Sequence, residues 1–125
     1  MGYEAPQRRF VLIVDDESIL RLNAIDMFED AGFEVLEAEN ADRALQLLEI
    51  HADEVTILFT DIHMPGSMDG MDLAREVHRR WPHILPVVTS GRVRLGDRDI
   101  PDSGRFILKP YRLAEVVGVI REALR

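Results

Sequence analysis

Asp15-Asp16, Asp61, Ser90 and Lys109 are the residues of this chain whose types and placement could do chemistry. Each closes an apolar run: Phe10 to Val14, Val55 to Thr60, Leu85 to Thr89, and Phe106-Ile107-Leu108. Lys109 is the only lysine among fifteen Lys and Arg residues. Arg is a planar fork that stays charged, whereas Lys brings a compact ammonium on a flexible stem, suited to one anionic oxygen. Three carboxylates in one place cannot all ionise cheaply, since a like-charge pair at about 4 Å costs on the order of 4 kcal/mol at an effective dielectric of about 20. A hard divalent cation such as Mg²⁺ relieves that repulsion, taking oxygen ligands and keeping several waters. A carboxylate held beside metal and ammonium can attack a phosphoryl group and form an aspartyl phosphate. Asp61 is the candidate nucleophile, because it leaves a stiff apolar run and enters the turn His63-Met64-Pro65-Gly66. The Ser90 hydroxyl and the Gly91 N–H would face the same phosphoryl oxygens.

Residues so far apart meet only if the elements carrying them deliver them to one edge. Short β-rich runs alternate here with segments of helical period, the signature of a parallel sheet with crossover helices. The runs are Phe10 to Val14, Glu34 to Ala38, Val55 to Thr60, Leu85 to Thr89 and Arg105 to Leu108. The first and third are nearly continuous apolar, as strands covered on both faces are. In such a sheet ligands bind outside the carboxyl ends of the strands, which is where all four polar sites fall.

Ser18 is expected to cap a helix that buries Leu20, Ala24, Met27 or Phe28, and Ala31, and that stops at Gly32. A second begins at Asn40 or Asp42 and turns Ala41, Ala44, Leu45 and Leu48 inward. A third runs from about Met71 to Arg80 with Leu73, Ala74 and Val77 inward, closed by Trp81-Pro82. The last, from about Leu113 to Leu124, is expected to bury Leu113, Val116, Val117, Ile120 and Leu124. The stretch from Arg92 to Gly104 has two glycines, a proline and hardly any apolar face, so the fourth crossover helix is expected to be short or absent. It reads as a solvated loop or as a partner-binding segment that orders on phosphorylation.

At 125 residues, 46% hydrophobic, the chain is the size of one domain. Residues 1 to 8 are expected to form a flexible tail and 9 to 125 the domain. No apolar run approaches a membrane span, no signal peptide is evident, and a cytoplasmic location is expected. Zero cysteines exclude disulfides, zinc-thiolate sites and thiol nucleophiles. Formal charge is −8, with thirteen acids against Arg21 and Arg43 between Asp15 and Glu54. That balance argues against nucleic acid as a direct partner.

The residues resemble a family, the receiver domain of two-component response regulators. Asp15-Asp16-Glu17, Asp61-Ile62-His63-Met64-Pro65 with Met68-Asp69-Gly70 behind it, Ser90-Gly91 and Lys109-Pro110-Tyr111 occur in family order over residues 9 to 124. The resemblance implies a three-layer, doubly wound α/β fold of strand order 2-1-3-4-5. It implies that Asp61 takes phosphate from a histidine kinase or a histidine phosphotransfer protein. It also implies that Asp16, Asp61 and the backbone carbonyl of His63 ligate Mg²⁺, and that Asp15 reaches the metal through water. Lys109 would pair with the phosphoryl group, Ser90 would be the switch hydroxyl with Thr89 its rival, and Phe106 would be the switch aromatic. Pro110 would follow a cis peptide bond. The loop after Asp61 departs from the pattern, being one residue longer at Gly66-Ser67, as does the degraded fourth helix.

The expectation is a stand-alone receiver that modifies only itself and signals to another protein or drains phosphate from a kinase. Two rivals exist: an aspartate-dependent phosphatase or phosphotransferase, and a receiver-fold interaction module without phosphotransfer. The phosphatase would want a second acid two residues past the nucleophile, where this chain has His63. That histidine could reach an attacking water and influence hydrolysis of the phosphoryl bond. His51, His78 and His83 read as surface positions.

Overall fold

The computed structural model describes residues 9–92, 94–100 and 104–124, so the expected tail at 1–8 lies outside the described residues. Five strands form one parallel sheet: β1 (Phe10–Val14), β2 (Glu34–Ala38), β3 (Val55–Asp61), β4 (Leu85–Ser90) and β5 (Arg105–Leu108). Their order is β2-β1-β3-β4-β5, with four helices, α1 (Ser18–Asp30), α2 (Ala41–His51), α3 (Gly70–Arg80) and α4 (Leu113–Ala123). β3 and β4 each run one residue further than the apolar pattern alone suggests, ending on the polar residues Asp61 and Ser90. Their backbone groups continue the ladder, with Asp61 in register with Thr89.

Alternation along the strands splits the core into two layers. Leu12, Val14, Leu58 and Val88 face α2 and α3, meeting Ala44, Leu48, Leu73 and Val77. Val11, Ile13, Ile57, Phe59 and Val87 face α1 and α4, meeting Phe28, Val116 and Ile120. Residues of β1 and β3 buried on both faces leave no room for a charged side chain until the strands end, which is why the acids appear there.

Helix termini are set locally. Gly32 adopts φ +94°, and the N–H groups of Gly32 and Phe33 donate to the carbonyls of Glu29 and Phe28, closing α1 as the sequence suggests. Its other end differs from expectation: Ser18 is the first helical residue, the cap position belongs to Glu17, and no side chain caps it. Asn40 does cap α2, accepting the Arg43 N–H at 2.8 Å. Asp69 and Asp72 cap α3 reciprocally, and the helix begins at Gly70 rather than Met71.

Several inward assignments are corrected. Leu113 and Leu124 are 43% and 39% exposed, because α4 packs on the sheet through Val116 and Ile120, with Val119 and Ala123 beside them. Leu20 is exposed as well, on the rim of the sheet's carboxyl edge. His78 is half-buried, with its Nδ1 shielded from solvent, whereas His51 keeps 36% of its side chain exposed. Between β4 and β5 the described residues hold a single 3₁₀ turn, Asp97–Asp99, in place of a helix. The segment is nonetheless anchored: Ile100 is 4% exposed and Leu95 packs beside it on the α2/α3 layer. Asp97 Oδ1 accepts the Phe106 N–H at 3.0 Å, covering part of the β5 edge.

Candidate functional site

The carboxyl edge of the sheet gathers the acids from β1 and β3 with the amine that follows β5. One carboxylate oxygen from each of Asp15, Asp16 and Asp61 lies within 4.8 Å of the other two. Lys109 Nζ stands 3.7 Å from Asp15 Oδ2 and 3.6 Å from Asp61 Oδ1. Asp15 and Asp61 are buried, and Asp16 is exposed to solvent. The cleft above them encloses about 580 Å³, and its walls include His63, Met64, Asp69, Gly91 and Arg92.

Backbone bonds hold each contributor in place. The Asp15 N–H donates to the Ala38 carbonyl of β2 at 3.2 Å, and its Oδ1 accepts the Glu17 N–H at 2.9 Å. The Thr60 hydroxyl donates to the Asp61 carbonyl at 3.0 Å. Ile62 N–H donates to the Thr89 carbonyl and Lys109 N–H to the Ser90 carbonyl, both at 3.0 Å, which ties β3, β4 and β5 together just where the reactive groups emerge. The Lys109–Pro110 peptide is cis.

Ser90 is fully buried at the end of β4, and its Oγ accepts the Arg92 N–H at 3.0 Å. Thr89 is buried too, beside Asp61 in the ladder. Phe106 is half-buried against the α2/α3 layer. His63 lines the cleft, and its Nε2 is buried without a hydrogen-bond partner among the described residues.

Electrostatics follow from this packing. Burial is the largest influence on Asp61 and raises its pKa above the ordinary 3.8; Lys109 opposes that, Asp15 reinforces it, and His63 opposes it weakly. Tyr111 is pushed up to about 12 by burial and then by Asp15 and Asp61, so its hydroxyl stays neutral. Lys109 balances one of three carboxylates. The excess negative charge, the oxygen-only donor set and the open side at Asp16 fit a hard divalent cation that keeps part of its water shell.

Motif spacing named Gly70 without its structural role, and it did not point to Arg21 at all. A Cβ on Gly70 would lie 2.0 Å from the Asp61 carbonyl oxygen, so only glycine lets α3 start against the Asp61 loop, where Gly70 N–H donates to the Ile62 carbonyl at 2.8 Å. Arg21 donates from Nη1 to the Asp15 carbonyl at 2.7 Å. A glycine directly behind a helix cap was the available signal for the first; the second has no local signature.

A parallel sheet of order 2-1-3-4-5 carrying two acids, an aspartate and a lysine on its carboxyl edge defines a class, and residues 11–121 match the response regulator receiver domain family. The chain belongs to that family. Among curated relatives it is 32% identical to the sensor kinase CckA of Brucella abortus over 91% of this chain, and 28% identical to the response regulator receiver protein CpdR of the same organism. It spans 12% of CckA, 59% of the Mycobacterium tuberculosis transcriptional regulatory protein PdtaR, and 95% of CpdR. A receiver domain protein from Clostridium thermocellum superposes with a TM-score of 0.81 at 26% identity, covering 93% of this chain and 94% of that one. The CheX–CheY–BeF₃–Mg²⁺ complex from Borrelia burgdorferi gives a TM-score of 0.81 at 25% identity, covering 93% and 89%. No helix among the described residues is long and apolar enough to cross a membrane.

Proposed function

We propose that this receiver accepts a phosphoryl group on Asp61 from a phosphohistidine of a histidine kinase or histidine phosphotransfer protein, and passes the signal to another protein. The observation that carries this reading is the meeting of Lys109 with Asp15 and Asp61 at 3.6 to 3.7 Å beside Asp16. In the reaction an Asp61 carboxylate oxygen forms a bond to phosphorus while the phosphorus–nitrogen bond of the donor breaks, and the imidazole leaves and takes up a proton. Asp15, Asp16, Asp61 and the His63 carbonyl would hold Mg²⁺, which when bound neutralises charge on the transferring oxygens.

The protein's own groups do the rest. Lys109 moves from sharing two carboxylates to pairing with the new phosphoryl oxygens, and the Gly91 N–H donates to the same group. Phosphorylation adds about −1.5 to −2 charges at the edge of β3. Ser90 turns from the Arg92 N–H to the phosphoryl group, and Phe106, in register with Val88 of β4, changes rotamer. Ligand binding of this kind shifts an existing equilibrium.

Incubation with acetyl phosphate and Mg²⁺ followed by intact mass tests the reading. A labile mass gain in the native chain, absent in Asp61→Asn, is expected. No gain in the native chain would end the proposal, and sustained release of phosphate from varied esters would favour the phosphatase rival.

A further inference from the structure

Asp16 is the exposed member of the three clustered acids; in its loop the Glu17 N–H bonds the Asp15 side chain at 2.9 Å, which leaves the carbonyl of the Asp15-Asp16 peptide to be fixed from outside the loop. That plane is set by its carbonyl, which belongs to Asp15. The carbonyl accepts from Arg21 Nη1 at 2.7 Å, a short, charge-assisted bond. The same guanidinium presents Nε to Glu37 Oε1 of β2 at 2.9 Å. Arg21 is 17% exposed at its side chain and Glu37 53%.

An ion pair with one partner that exposed contributes little stability by itself. Its geometry does something else. The fork of Arg21 spans two elements: Glu37 on the edge strand fixes one arm, so the other arm is held against the loop that follows β1. Rotation of the Asp15-Asp16 peptide is thereby blocked. Asp16 inherits its direction from that peptide, and among the described residues no side chain bonds its carboxylate.

We propose that Arg21, steadied by Glu37, is a positioning residue that aims Asp16 at the divalent-cation site. This rests on the metal-dependent reading of the cleft given above. Removing an outer support of a metal site typically weakens metal binding at least tenfold, without touching a ligand.

Calorimetric titration of Mg²⁺ into the full chain tests the assignment, with thermal melting alongside. Native protein should bind Mg²⁺; if it does not, the metal-dependent reading and this inference both fall. If it does, Arg21→Met should weaken Mg²⁺ affinity by about tenfold. At saturating Mg²⁺ the rate of phosphorylation by acetyl phosphate should return close to native, since the reacting groups are intact. Glu37→Gln should weaken binding in the same direction by less, and the double variant should bind no more weakly than Arg21→Met, because Glu37 acts only through Arg21. Arg21→Lys retains charge without the fork and should recover the affinity in part. Native affinity in Arg21→Met, full recovery in Arg21→Lys, or additive losses in the double variant would overturn the assignment. Should Arg21→Met fail to fold, native affinity in Glu37→Gln would overturn it as well.

Discussion

At the scale of single residues the site is a compromise between burial and charge. In the proposed reaction Asp61 must be ionised to attack phosphorus, yet burial raises its pKa above 3.8 despite Lys109. A carboxyl whose folded pKa is raised favours the fold when protonated; that contribution is complete below the unfolded value and is lost as pH rises through the folded one. Ionised Asp61 is therefore a net cost at neutral pH when no metal is bound. In Mg²⁺-free buffer Asp61→Asn should melt above the native chain at pH 7, and the gap should close as pH falls toward 3.8; differential scanning calorimetry across that range checks it. An equal or lower Tm for Asp61→Asn at pH 7 would show that the Lys109 contact outweighs burial. The acids, Asp61 and Lys109 were legible because each ends an apolar run. Their supports, Thr60, Gly70 and Arg21, were not, because each acts on a backbone carbonyl, and sequence does not record which carbonyls come within reach.

At the scale of elements, helix starts divide into two tied by side chains, α2 and α3, and two that are not, α1 and α4. Asn40 bonds the Arg43 N–H, so Asn40→Ala should cost about 1 kcal/mol of stability in urea unfolding. Ser18, which sequence nominated as a cap, makes no such bond, and Ser18→Ala should fall within roughly 0.5 kcal/mol of native. The misreading has a simple cause: a Ser one residue past the true cap looks the same in a linear string. Gly70→Ala is the sharper test of coupling between element and site. Its methyl group would meet the Asp61 and Ile62 backbone, which cannot swing aside as a side chain can. The loss should be about 1–3 kcal/mol, with slower phosphorylation by acetyl phosphate; a native midpoint and rate would show that α3 does not brace the Asp61 loop. The 3₁₀ turn at Asp97–Asp99 was expected as a missing helix, but the anchoring of Ile100 was not, since a few scattered apolar residues in a polar stretch carry no periodicity.

At the scale of the whole molecule, the layer between the sheet and α1/α4 is joined by aromatic edges. Phe28 meets Phe33 at 5.8 Å and Phe59 at 5.0 Å between ring centroids, and Phe59 meets Tyr111 at 5.8 Å, just past Lys109. Phe28 is fully buried at the centre of this chain of rings. Phe28→Ala should lower unfolding free energy by about 3–5 kcal/mol, read from chemical denaturation, and a loss below about 1 kcal/mol would mean that the layer repacks freely. What the sequence determined alone was the alternation of apolar strands and amphipathic helices, and with it the sheet edge on which the polar residues emerge. Those are consequences of local periodicity and of the exclusion of charge from a strand covered on both faces. Only the tertiary structure decided that Leu113 and Leu124 stay exposed, that Ser90 is turned toward the Arg92 N–H, and that a guanidinium from α1 grips the Asp15 carbonyl. These depend on distances between elements remote along the chain, and no residue's type or spacing encodes them.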